Sequence, residues 1–175
     1  MQIDGKAIAE RIIAELKAKL TAHPIQKFVG AVLVGENPAS LNFLKQKERV
    51  AKELGIDFRL YRMPTSTTTD ELRHEIGRYA GVKNCGGFLV QLPLPEHINR
   101  HYALNTIPKE KDIDLLSESA IGAFYSGRSK IVPPAVGVVQ EILAAQGLNA
   151  LRDKKVVIFG QGFLTGKPIA LWLQN

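Results

Sequence analysis

Residues 28–63 read FVGAVLVGENPASLNFLKQKERVAKELGIDFRLYRM, and this stretch decides the fold. FVGAVLV (28–34) is a short apolar run rich in β-branched residues and followed by the turn signal GENPAS, which reads as a buried strand. Residues 38–54 carry helical periodicity and end at Gly55, a residue suited to the left-handed turn that closes a helix. DFRLYRM (57–63) is the next strand. Working outward, TSTTTDELRHEIGRYA (65–80) opens with capping residues and continues as a helix, and GGFLVQ (86–91) is another buried strand. Upstream, residues 5–22 form a helix, with Ile8, Ile12, Leu16 and Leu20 recurring every fourth residue and Asp4 placed to cap it. The β-α-β-α-β order with buried strands predicts an α/β fold, a parallel sheet covered by helices on both faces.

Beyond residue 91 the pattern loosens. LPLPEHINRHYALNTIPKEKDIDLL (92–116) is loop-rich, and 117–134 has no clear periodicity. Residues 135–146 read as a helix closed by Gly147. A strand is expected at 155–159 and a helix at about 163–174, with a domain boundary near 147–153. The expected organisation is a catalytic domain over 1–120, a connecting segment and helix over 121–150, and the opening strand and helix of a second domain over 151–175.

The composition narrows the function classes. Apolar residues make up 45% of the 175 residues and charged residues 23%, as in ordinary globular proteins. No apolar run approaches the ~20 residues of a membrane helix. The start of the chain mixes acids and bases from Asp4 onward, so no secretory signal is expected. One cysteine, Cys85, excludes an internal disulfide or a CxxC site, and a reducing cytoplasm is the expected compartment. The net charge is +6, but the basic residues are scattered among acids, as in EIGRY and LRDKK. This favours a solvated basic surface over a nucleic-acid patch and leaves room for an anionic metabolite.

Four groups of residues could carry chemistry. Gly160, Gly162 and Gly166 follow the expected strand and open a helix. Glycines there admit a phosphate to backbone N–H groups at a helix N-terminus, although a βα turn also needs glycine merely to turn. Lys47 falls on the apolar stripe of helix 38–54 with Phe43, Val50 and Leu54. A buried lysine can serve as an acid/base group; alternatively its stem covers the core and its ammonium reaches water. Gln91 ends a buried strand where parallel sheets collect ligands, and could orient a substrate or simply bond the proline-rich loop. Asp112 and Asp114 could be a carboxylate pair, a metal site or a loop cap. With no third oxygen ligand a metal is disfavoured, and a loop aspartate that accepts ligand N–H groups is the better reading.

Taken together, DGKAIAERI near the start, VGENPAS (34–40), the helix with Lys47, VQLPLP (90–95) and KDID (111–114) resemble the bifunctional methylenetetrahydrofolate dehydrogenase/methenyltetrahydrofolate cyclohydrolase family. The resemblance runs over essentially the whole chain. It implies an α/β folate domain followed by the start of a Rossmann NAD(P) domain, with folate in the cleft between them. It implies NADP or NAD as cofactor, tetrahydrofolate derivatives as ligands, and a homodimer. It also implies that Lys47 is the acid/base group of the cyclohydrolase step, that Gln91 supports it, that Asp114 binds the pterin, and that Phe43 and Pro93 border the folate. Gly160, Gln161, Gly162 and Gly166 would then hold the cofactor.

The departures from the family pattern carry expectations of their own. Phe43 stands where the family has tyrosine, so the stacking surface stays but a phenol beside Lys47 is lost. Gln161 replaces an arginine that pairs with the cofactor's 2′-phosphate, which should weaken NADP preference. Leu115 replaces a glycine, Gly86 an aspartate, and PPAVG (133–137) the family's CTPxG. The later Rossmann strands, the PGGVGP loop and the returning helix of the family do not follow. The expectation is therefore a fragment without dehydrogenase activity, with an exposed apolar patch near its end and most folate-facing chemistry within 1–146. A folate-binding or interaction protein without catalysis is the competing class.

Overall fold

The computed structural model describes residues 2–148, 151 and 154–174. Helix α1 (Gly5–Ala22) begins at Asp4, whose Oδ1 accepts from the backbone N–H groups of Lys6 and Ala7. Three strands, β1 (Phe28–Val34), β2 (Asp57–Met63) and β3 (Cys85–Val90), pair in parallel in the order β2-β1-β3. Helices α2 (Pro38–Glu53) and α3 (Thr69–Ala80) supply the crossovers. This is the expected parallel α/β arrangement.

Strand alternation sorts the core onto two faces. Phe28, Val32 and Val34 of β1 pack with Leu72 and Ile76 of α3 on one face. Ala31 and Leu33 pack with Leu44 of α2 on the other. Gly30 lies under the Phe88 ring of β3, and a Cβ there would come within 2.5 Å of that ring, so only glycine lets the strand pass.

The loop-rich stretch after β3 contains a short helix, α4 (Arg100–Leu104). Residues 117–134, where no periodicity was expected to build structure, include helix α5 (Glu118–Tyr125), capped by the Ser117 hydroxyl. It is short enough for capping and tertiary contact, not an apolar repeat, to decide it. Helix α6 (Pro134–Ala145) follows, and Gly147 after it has φ 71°. α6 packs against α1, which buries none of its own residues and is tied to α6 by the Arg11–Glu141 ion pair.

The expected strand at 155–159 is not formed. Residues 154–160 have no strand pairing, and Val157 and Phe159 are 73% and 97% exposed. Among the described residues no strand pairs with this segment, and a strand without a ladder partner does not form. The last helix, α7 (Gly166–Gln174), starts later than about 163 because residues 163–165 form a turn, with Thr165 N–H donating to Gly162 C=O. α7 does not stand bare. Ile169, Leu171 and Trp172 pack on a cluster of Leu115, Ala120, Phe124 and Val136. The exposed apolar surface therefore belongs to the would-be strand and Leu164, not to α7. Four residues of the expected boundary at 147–153 lie outside the described residues.

Candidate active site

Beyond the carboxyl end of β3 lies a cavity of about 610 Å³, within the range that takes a drug-sized ligand. Four segments build it. α2 contributes Phe43 and Lys47. The end of β3 and the turn after it contribute Val90, Gln91 and Leu92. The 114–116 loop contributes Asp114, and the region from α5 to α7 closes the far wall.

Lys47 arrives by helix periodicity. Ser40, Leu44 and Ala51 form the buried stripe of α2, and Lys47 shares their spacing. The stripe is centred there rather than on Phe43, Val50 and Leu54. Phe43 is 64% exposed, on the shoulder of the helix that faces the cavity. The Lys47 side chain is itself 36% exposed and lines the cavity, so of the two readings of this residue its exposure matches the one in which the ammonium reaches solvent. Its partner is Asp114, with Nζ to Oδ2 3.3 Å.

Gln91 stands where expected, at the end of β3, its backbone N–H donating to Val32 C=O. Its Nε2 donates to Leu92 C=O at 2.8 Å, and its Oε1 is buried without a hydrogen-bond partner. One end of the amide thus bonds the proline-rich loop, while the residue itself lines the cavity. The Ser40 hydroxyl donates to the same Leu92 carbonyl, tying α2 to the turn. The Leu92–Pro93 peptide is cis. Pro93 follows a residue of the cavity wall but is itself exposed and does not line the cavity.

The two aspartates of KDID part company. Asp112 is buried, and its Oδ2 accepts from the N–H groups of Leu116 and Ser117 at 3.0 and 2.7 Å. It is the loop cap. A parallel bridge between Phe88 and Asp112 pins this loop beside β3, which delivers Asp114 to the cavity near Gln91. Among the described residues, no cluster of three His, Cys, Asp or Glu is placed to hold a metal ion.

Leu115 is the point of strain. It has φ 52°, the left-handed region where glycine is at ease, yet it is buried and lines both the cavity and the third core cluster.

Gly160, Gln161, Gly162 and Gly166 lie just outside the cavity, while Phe163, Leu164, Lys167, Pro168 and Leu171 line it. The wall therefore reaches past residue 146. Together with Ile121, Phe124 and Pro133–Ala135, these are the residues that reading by motif did not find. Only the P-P of PPAVG offered a signal. Within the glycine turn the backbone approaches itself closely: Gly160 has φ 100°, and a Cβ on Gly166 would fall 2.0 Å from the Gly160 carbonyl oxygen. The N–H groups of Thr165 and Lys167 donate to Gly162 C=O, and the turn carries the neutral Gln161.

The family model for the catalytic domain of tetrahydrofolate dehydrogenase/cyclohydrolase matches residues 3–114, which include Phe43, Lys47, Gln91 and Asp114. The chain belongs to that family. It is 38% identical over 171 residues to the bifunctional protein FolD of Geotalea daltonii, covering 96% of this chain and 61% of that one. The corresponding protein of Enterococcus faecalis is 33% identical over 171 residues, with 96% and 60% covered. The crystal structure of the bifunctional enzyme FolD, methylenetetrahydrofolate dehydrogenase/cyclohydrolase, from Campylobacter jejuni superimposes with a TM-score of 0.91 at 33% identity, over 98% of this chain and 62% of that one. The Trypanosoma brucei enzyme, crystallised with NADP cofactor and an inhibitor, gives 0.92 at 29% identity, over 99% and 61%. The chain thus spans about three-fifths of the length of the relatives it matches.

Proposed function

We propose that this chain carries the folate half of a one-carbon enzyme that interconverts 5,10-methylenetetrahydrofolate, 5,10-methenyltetrahydrofolate and 10-formyltetrahydrofolate. The observation that carries this reading is the convergence of Lys47, Gln91 and Asp114 on one apolar cavity, from three elements far apart in sequence. A pterin has N–H donors along one edge, a match for the Asp114 carboxylate. The aminobenzoate ring would lie on Phe43, whose exposed face is available for stacking. At the bridge carbon of the methenyl compound, water adds, the bond to N5 breaks with a proton delivered to N5, and one proton is released overall. Lys47 would move these protons, with Gln91 beside it on the cavity wall as its supporting group. Gly160, Gln161, Gly162 and Gly166 would hold the pyrophosphate of NADP or NAD, which supplies the hydride acceptor for the dehydrogenase step. Residues 1–120 are the folate domain in this reading, 121–150 the connection and 151–175 the start of the nucleotide domain. A homodimer in the cytoplasm is part of the same proposal, and no helix among the described residues is long and apolar enough to cross a membrane.

The test is the hydrolysis of 5,10-methenyltetrahydrofolate by the purified chain, followed spectrophotometrically. The expected result is turnover that Lys47→Ala lowers by ~10²-fold or more while the circular dichroism spectrum is unchanged. Folate binding without turnover would make the chain a binder, and absence of both would overturn the proposal.

A further inference from the structure

Upstream of the glycine turn, residues 154–160 have no strand pairing, and a Cβ at Gly160 or Gly162 would meet nothing within 4 Å. The bonds from Thr165 and Lys167 N–H to Gly162 C=O tie the turn only to itself and to the start of α7. Phe163 is what attaches it to the folate domain. Its ring packs against the core cluster that contains Ala103 and Leu104 of α4, and the Arg100 guanidinium lies over it, 4.8 Å from the ring centroid. That separation is within the reach of a cation–π attraction. Arg100 stands on a fixed base. It opens α4, whose cap residue Asn99 accepts from Tyr102 N–H and donates its own N–H to Thr69 Oγ1 at the start of α3. Phe163 also lines the cavity, with Leu164, Lys167 and Pro168 after it. Beyond them, Leu171 and Trp172 pack on the cluster of Leu115, Ala120, Phe124 and Val136. This stretch of wall therefore spans two supports, the α5–α6 cluster at one end and Phe163 at the other.

We propose that Arg100 and Phe163 form a clasp that fixes the glycine turn as a wall of the cavity, with Phe163 a ligand-contacting residue and Arg100 a positioning residue that acts through its ring. The clasp stands on these contacts alone, and its effect on ligand rests on the folate reading of the cavity. Arg100 is exposed, so its attraction for the ring is modest, about two- to fivefold in the equilibrium between closed and open turn. A modest attraction suffices because no paired strand holds the turn from upstream. When the ring leaves, the wall from Phe163 to Pro168 loses one of its two supports, and a ligand loses an aromatic face. Ligand that binds the closed cavity in turn holds the clasp shut.

The experiment is amide hydrogen exchange on the 175-residue chain, read at Thr165 and Lys167, whose N–H groups close the turn. Arg100→Ala should speed their exchange about two- to fivefold, and Arg100→Lys, which keeps a cation, should restore most of the protection. Arg73→Ala removes an arginine that lies over Tyr102, away from the cavity, and should change nothing. Phe163→Leu should speed exchange by itself, and Arg100→Ala should add nothing on that background. Phe163→Tyr keeps the aromatic face and should exchange as the wild type does, which separates loss of the clasp from damage to the turn. Unchanged exchange in Arg100→Ala, or an effect that persists in the Phe163→Leu chain, would overturn the clasp. Folic acid is the ligand probe, with affinity measured by isothermal titration calorimetry. It should slow exchange of the same two amides and bind Phe163→Leu about two- to tenfold more weakly. Equal binding by wild type and Phe163→Leu would overturn the contact between Phe163 and ligand. No folic acid binding by the wild type would overturn the folate reading, while exchange in the ligand-free chain still decides the clasp.

Discussion

Leu115 sets two residue-level forces against each other. Its left-handed backbone costs about 1–2 kcal/mol relative to glycine. Its side chain is buried against Ala120, Phe124 and Val136, and removing a buried leucine costs about 2–5 kcal/mol. Burial wins, so Leu115→Gly should lower stability, by about 1–3 kcal/mol net. Leu115→Ala loses the side chain and keeps the strain, so it should be less stable than Leu115→Gly by about 1 kcal/mol. That order reverses the usual one for alanine and glycine, and urea melts of the two variants decide it. Phe43 makes a second case. It offers an exposed ring at the cavity but no hydroxyl beside Lys47. Phe43→Tyr should raise the hydrolysis of methenyltetrahydrofolate by about tenfold or more with little change in folate affinity. An unchanged rate would mean that the proton path avoids this position.

Among the elements, α3 is the best specified. Thr68 and Glu71 form a reciprocal capping box, and the Leu72, Ile76 and Ala80 stripe is buried. The backbone N–H and hydroxyl of Thr68 hold the Glu71 carboxyl below the usual carboxylate range. A folded-state pKa below the unfolded value contributes stability that is present above the unfolded pKa and is lost as pH falls through the folded one. Loss of the hydroxyl cap in Thr68→Ala should cost about 1 kcal/mol near neutrality. The difference from wild type should shrink as the pH falls below the carboxylate range, which thermal melts at several pH values measure. A gap independent of pH would show that the hydroxyl cap acts without the carboxylate. The segment 154–160 is the opposite case, having β-branched and aromatic residues without a partner strand. Its propensity points to a strand, but a strand is stabilised by its neighbours.

For the whole molecule, the same segment is the apolar surface exposed near the last helix. Val156, Val157, Phe159 and Leu164 are exposed together near the glycine turn. Phe159→Ser should leave the melting temperature unchanged, since the ring touches almost nothing, and should reduce self-association in sedimentation velocity. The glycine turn follows directly on this unpaired segment. The purified chain should form no measurable NADH or NADPH from 5,10-methylenetetrahydrofolate while retaining hydrolysis of the methenyl compound. Robust reduction of either cofactor would require a nicotinamide site that the glycine turn does not supply.

What the linear order determined was everything carried by local periodicity. The three parallel strands, the helices with their Asp4 and Thr68 caps, and the crossovers were legible because strand and helix imprint different repeats on apolar residues. Lys47, Gln91 and Asp114 line one cavity, and periodicity alone left the role of each of them open. Tertiary structure decided the rest. It made Asp112 a buried cap and sent Asp114 to the cavity, because the bridge to Phe88 orients the loop. It gave Lys47 to Asp114 rather than to Gln91, because side chains choose partners by distance in space. It folded Leu115 against α5 and α6 at the expense of its backbone. It also left residues 155–159 unpaired, because a β-strand is a relation between two segments and no property of one segment can supply the second.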